Sequence, residues 1–191
     1  MGHPIKLKKK YKTPNHPWER ARMEKETVIK KTYGLKNKKE IWKAHSAMKT
    51  FTRQAKKIIA QKSDQNKLEQ VQLMDRLDRL NLIDKTDKVE NVLNLTIENI
   101  LDKRLQTYVY KAGLARSIKQ ARQFIKHGHI FVSGKKMTAP AYILNKNDKV
   151  IFNPKSAISN IEHPERVVEK STLKKIKAKE EPGVESVVEN E

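Results

Sequence analysis

Hydrophobic and polar positions alternate along this chain mainly with helical spacing. From Asn37, with Glu40 three residues on as an approximate capping box, Ile41, His45, Met48, Phe51, Ala55, Ile58 and Ile59 fall within one arc. Lys43, Lys49, Arg53, Lys56 and Lys57 occupy the opposite arc, so the segment reads as an amphipathic helix with a cationic outer face. An earlier helix is predicted with Asn15 or His16 at the cap, Pro17 near the first turn, Lys30 and Lys31 in the last turn and Gly34 as terminator. Asp64 to Asp84 offers Leu73, Met74, Leu77 and Leu80 as a buried stripe with mixed charge outside, an ordinary packing helix. Thr96 then caps a helix over Ile97 to Ala112 that buries Leu101, Leu105, Tyr108, Val109 and Ala112 and ends at Gly113. Ser117 caps another, in which Ile118, Ala121, Phe124 and Ile125 form the core arc. Gly128 ends it, "HIFV" reads as a strand, and Ser133-Gly134 is a turn ahead of Lys135-Lys136.

Charge sharpens this picture. The 191 residues carry a net charge of +20, so a polyanionic partner is the default expectation. The excess is local: Met1 to Ala60 holds 18 basic and 4 acidic residues, and Lys103 to Phe152 holds 11 and 1. Between them Gln61 to Asp102 is slightly acidic, with 6 basic and 9 acidic residues. Two binding surfaces joined by a packing element would show this distribution.

Several function classes drop out. The chain has no cysteine, which removes disulfides and thiolate zinc sites; with His3, His16 and His45 as the histidines of the N-terminal block, no metal site is expected. No apolar run approaches the ~20 residues of a membrane span. The start lacks a signal-peptide core, and Lys6 stands where a myristoylation signal needs Ser or Thr. A soluble, cytoplasmic protein is expected. No Gly-rich phosphate loop and no nucleophile, base and orienting acid stand in a recognisable arrangement, so no enzyme and no small-molecule substrate or cofactor is expected. Asp75, Asp78 and Asp102 read as helix-surface charge.

The candidate chemistry is RNA recognition. The arm "KLKKKYKTPNHPW" interleaves aromatics with five lysines, so Lys8, Lys9, Lys10 and Lys12 suit phosphates, while Tyr11, His16 and Trp18 suit unpaired bases. The arm reads as an extended segment that orders on its partner. On the second helix Lys49, Arg53, Lys56 and Lys57 face outward, and Glu40 is the only acid between Thr27 and Gln61. On the helix after Ser117, Lys119, Arg122 and Lys126 fall within about 60° of one another. Gln120, Gln123 and His127 flank them. His129 and the hairpin residues Lys135 and Lys136 would join that face, and no acid occurs from Lys103 to Asn147. Arg104, on the edge of the apolar arc, would leave its guanidinium at the rim, for a phosphate or for an ion pair with Asp102 or a neighbour.

The stretch "LDKRLQTYVYKAGLARSIKQARQFIKHGHIFVSGKKMTAPAYIL" closely resembles the RNA-binding domain named after the fourth small-subunit ribosomal protein. "KKYKTPNHPWERARMEKE", "YGLKNKKEIWKAHSAMK" and "LDRLNLI" extend the likeness to the archaeal branch of that ribosomal protein family, related to the eukaryotic one, over roughly Met1 to Pro164. The resemblance implies an α+β protein: an N-terminal helical region with an extended basic arm, plus a small RNA-binding domain of two helices against a short antiparallel sheet. The expected organisation is 1–100 for the arm and helical domain, 101–155 for the RNA-binding domain, 156–178 for a C-terminal extension and 179–191 for a disordered acidic tail. It further implies a structural constituent of the small subunit that binds the 5′ domain of 16S ribosomal RNA, nucleates assembly beside the fifth small-subunit protein and contributes to translational accuracy. Carried to matching positions, the RNA ligands would be Arg104, Arg116, Ser117, Lys119, Gln120, Arg122, Gln123, Lys126, His127 and His129, with Lys135 and Lys136. Many members have Ser-Arg where this chain has Ser117-Ile118-Lys119, which shifts the basic function to Lys119. The alternative reading is a free-standing RNA chaperone or ribosome quality-control factor, since the same domain recurs in a heat-shock protein and in some RNA-modifying enzymes and synthetases.

Overall fold

The computed structural model describes residues 9–61, 63–160 and 163–166. Lys8, most of the 156–178 extension and the acidic tail from Lys179 lie outside the described residues.

Six helices are described: α1 (Arg20–Thr32), α2 (Lys38–Ala60), α3 (Asp64–Arg79), α4 (Ile97–Asp102), α5 (Leu105–Lys111) and α6 (Ile118–His127). They are followed or interleaved by β1 (Ile130–Val132), β2 (Lys135–Lys136) and β3 (Val150–Phe152), with short 3-10 turns at Val89–Asn94 and Ala157–Ser159. Local chemistry sets several boundaries. Ser63, Thr96 and Ser117 each accept the N–H of the residue three positions on, at 3.3, 3.4 and 3.2 Å, satisfying donors that a helix start leaves free.

The apolar stripe of α2 serves two cores. Its first half, Ile41 and Ala44, packs with Leu35, Ile100 and Leu101. Its second half, Phe51, Ala55 and Ile58, packs with Leu73, Met74 and Leu77 of α3 and with Val89, Val92 and Leu95. Ile59, expected in the same arc, is 44% exposed, because Ile58 takes the position facing α3 and the helix ends one residue later.

A third core lies between α5, α6 and the sheet, with Leu105, Val109, Phe124, Ile125, Ile130 and Val132 at its centre. The sheet order is β2-β1-β3, antiparallel throughout, with Phe131 opposite both Lys136 and Ile151. The two-residue connection from Val132 to Lys135 has positive φ at both Ser133 (48°) and Gly134 (79°), the combination whose twist matches a tight hairpin.

Three expectations change. First, α1 begins after Glu19 and not near Pro17; Arg22 donates to the carbonyls of His16 and Pro17, both at 2.9 Å, and holds that stretch as a turn. Second, the helix expected over Ile97 to Ala112 is broken. Arg104 is extended (φ −72°, ψ 142°) and bridges Ile143. The segment 140–144 takes over the backbone bonds there: Leu105 N–H donates to the Tyr142 carbonyl at 2.8 Å, and Leu144 N–H donates to that of Lys103 at 3.0 Å. The break re-aims α5, leaving Tyr108 and Ala112 exposed and burying Gln106 and Thr107 instead. Third, Glu40 does not cap α2; Asn37 is the cap residue and makes no side-chain bond.

Gly34 joins α1 to α2 at φ 56°, and a Cβ placed there would lie 2.6 Å from Cγ2 of Ile118. Gly34→Ala should therefore combine left-handed backbone strain with an overlap against α6 and lower stability by about 2 kcal/mol. The check is a lower urea midpoint with an unchanged transition slope.

Candidate nucleic-acid interface

Helix α6 is the centre of the site. Ala121, Phe124 and Ile125 are buried against the third core, which turns Lys119, Gln123, Lys126 and His127 to solvent. Gly128 at φ 78° closes the helix, with its N–H on the Ile125 carbonyl and the His129 N–H on that of Phe124. That reversal stacks the His127 and His129 rings, 6.0 Å apart and 6° from parallel. The hairpin lays Lys136 over the same turn: a Cβ on Gly128 would meet its side chain. His127, His129 and Lys136 thus meet at the C-terminal end of α6, while Lys135 is exposed beside Lys136 in β2. His129 Nδ1 lies 2.7 Å from Ser156 Oγ. Burial, then the neighbouring His127 and Lys136, push its pKa down against the opposing pull of Glu165.

Arg104 and Arg122 face inward. Arg104, 5% exposed, reaches Glu40 at 2.7 Å, and Arg122 reaches the other oxygen of the same carboxylate at 2.9 Å. Arg122 also donates to Gln106 Oε1 at 3.2 Å, and Gln106 Nε2 donates to the carbonyls of Gly34 and Ile118, both at 3.1 Å. The expectation that the Arg104 guanidinium stands at the rim is corrected: the break before α5 swings it beneath α2. Asp102, a possible partner from sequence, pairs with Lys111 instead, at 3.0 Å. Burial alone would raise the Glu40 pKa, but hydrogen bonds from Arg122 and Arg104, and their charges, outweigh it and hold the carboxyl below its ordinary value.

Two further residues at the start of α6, Arg116 just ahead of its cap and Gln120 within it, are engaged. Arg116 donates to the carbonyls of Pro164 and Arg166, and Gln120 Nε2 to that of Glu165 at 3.0 Å. The segment after the second 3-10 turn therefore lies across the start of α6. Ser117 is occupied by its cap. Among the described residues, the polar face without a partner narrows to Lys119, Gln123, Lys126 and His127 with the hairpin lysines.

The arm is already seated where it is described. Lys12 N–H donates to Ser46 Oγ at 2.9 Å, and the Tyr11 ring packs 6.1 Å from Trp42 of α2. Lys9 Nζ stands 5.7 Å above that Tyr11 ring. Lys10, Lys12, His16 and Trp18 are exposed. The arm, expected to order on its partner, already has protein contacts where it is described: α2 meets Tyr11 and Lys12, and Arg22 of α1 holds the His16 and Pro17 carbonyls. On α2, Lys49, Arg53 and Lys56 are exposed along one side, while Lys57 pairs with Glu69 at 3.2 Å. Sequence reasoning missed Arg22, Glu26 and Trp42: Glu26 is 6% exposed and accepts from Arg22 at 2.6 Å and Trp42 Nε1 at 3.0 Å. An acid four residues after Arg22 in a basic helix, next to a tryptophan-bearing one, was the available signal. Asp75 and Asp78 do act as surface charge, pairing with Lys85 and Lys146, each at 2.9 Å.

Among the described residues no group of His, Asp or Glu could hold a metal ion, and no helix is long and apolar enough to cross a membrane.

Residues 103–150 match the S4 domain, beginning at the break before α5 and ending in β3. The small ribosomal subunit protein uS4 of Methanococcus maripaludis strain C6 is 48% identical over 169 residues, which are 87% of this chain and 95% of that protein. The proteins of the same name from Methanococcus aeolicus and Methanococcus vannielii are 48% and 44% identical, each over 87% of this chain and over 96% and 95% of their own length. These relatives are ribosomal proteins and not enzymes. Likeness of this degree over 87% of the chain, well beyond the matched domain, places the chain in the uS4 family of small ribosomal subunit proteins.

Proposed function

We propose that this protein is a structural constituent of the small ribosomal subunit that binds the 5′ domain of 16S ribosomal RNA, nucleates assembly of the subunit body and contributes to translational accuracy. It acts in the cytoplasm, within the ribosome, with the fifth small-subunit protein as a neighbour. The observation that carries the reading is the cationic face of α6 and its hairpin, in a stretch with no acid from Lys103 to Asn147. Lys119 and Lys126 on α6 and Lys135 and Lys136 on the hairpin are all exposed, and Lys136 reaches the turn that carries His127 and His129. Long cationic side chains on such a face follow an RNA backbone, while Gln123 and the histidines reach 2′-hydroxyls or base edges. Lys49, Arg53, Lys56 and the arm lysines form the second surface. Arg104 and Arg122 hold the α2–α6 junction from within, and Arg116 and Gln120 meet RNA only where residues 163–166 leave them. The functional division stays at 1–100 and 101–155, with the 156–178 extension beyond.

The seated arm favours this reading over a free-standing quality-control factor, which has no need for a second basic surface built on α1 and α2. The test is a titration against 5′-domain RNA with excess transfer RNA as competitor at rising salt. Binding that survives the competitor supports a primary assembly protein; binding that the competitor abolishes overturns it and favours the quality-control reading.

A further inference from the structure

Trp18 is 87% exposed, an unusual amount of apolar surface to leave in water. Its position is set from below. Arg22 holds the carbonyls of His16 and Pro17, and Arg22 is itself held by Glu26. The same Glu26 oxygen accepts the indole N–H of Trp42. One buried carboxylate thus positions Trp42 directly and the turn that presents Trp18 through one intermediary.

Between the two indoles lies a cavity of about 360 Å³, with Pro17, Met23 and Lys38 completing its walls. A second cavity of about 280 Å³ shares the Trp42, Arg22 and Glu26 wall and is rimmed by Lys12, His16 and Lys49. An apolar slot with aromatic walls therefore adjoins a cationic one. The acids at the junction are already engaged: Glu26 by Arg22, Trp42 and Lys38, and Glu19 by Arg22 at 3.7 Å.

We propose that this paired cavity binds one unpaired nucleotide of RNA, its base against Trp18 in the apolar slot and its phosphate at Lys12, His16 and Lys49. The inference rests on the RNA-binding reading above and adds to it a stacking site on the N-terminal region. An apolar protein side chain would fill the first cavity and leave the cationic one without a counter-charge, whereas a nucleotide occupies both. Stacking on an aromatic face tolerates any base, so the site recognises an unpaired base without requiring one sequence.

The test uses the full chain with the 5′-domain RNA transcript, an unstructured oligoadenylate and a duplex of equal length. Trp18→Ala is expected to weaken binding of the 5′-domain transcript about tenfold without changing the salt slope, and Trp18→Phe to restore most of it. The chain has only two tryptophans, so emission lost on adding oligoadenylate, retained with the duplex and absent from Trp18→Ala, reports the stacking directly. If Trp18→Ala binds the transcript as tightly as the parent protein, the site is not an RNA site, and a protein partner would be sought. Failure of the parent protein to bind the transcript at all would instead remove the underlying reading, and this inference with it.

Discussion

Glu40→Gln is expected to lower the unfolding free energy by about 3 kcal/mol. Glu40 faces two guanidiniums, and the Arg104 side chain is only 6% exposed. Removing one partner of a buried ion pair leaves an uncompensated charge, which costs ~3–5 kcal/mol; the lower end applies because the Arg122 side chain, 27% exposed, is partly hydrated. The same principle predicts that Glu40→Met combined with Arg104→Met is less damaging than Glu40→Gln alone, and a double-mutant cycle in urea measures the difference. Acid should reproduce part of the effect. The folded-state pKa of Glu40 is depressed, so its contribution is complete above the unfolded value of about 4.3 and is lost as pH falls from there through the folded value. Stability that falls as steeply over that acid range in Glu40→Gln as in the parent would exclude Glu40 as its source.

Replacing Lys119, Lys126, Lys135 and Lys136 together by alanine should weaken 5′-domain RNA binding by roughly two to three orders of magnitude near 0.15 M salt. Each phosphate contact contributes a slope of ~0.7–0.9 in log affinity against log salt, so the slope should flatten by about 3. All four side chains are exposed, and the thermal midpoint should move little. An unchanged slope would sink the assignment of this face. Arg122, the middle of the basic stripe by helical spacing, is the poorer probe. Arg122→Glu would set a second carboxylate beside Glu40, and any loss of binding would report the junction and not the interface.

Features governed by neighbours in the chain were legible from sequence. Ser117 as cap, Gly128 as terminator, the Ser133-Gly134 turn and three of the four core-arc residues (Ala121, Phe124 and Ile125, with Ile118 only half-buried) appear as read, because capping, periodicity and turn geometry depend on residues a few positions apart. The exposed cationic faces of α2 and α6 followed from the same spacing. What spacing does not contain is the partner of a charge. Glu40 looked like a capping residue and Arg104 and Arg122 like phosphate ligands, yet they meet across 64 and 82 residues of chain. The break at Arg104 was likewise invisible, since the residues that draw its backbone out of the helix lie some 40 positions later. Helical periodicity shows which side of an element is apolar. Whether a long charged side chain at the edge of that side turns outward to a ligand or inward to a countercharge is decided only when the elements dock, because desolvating it is tolerated only where a partner is already in place.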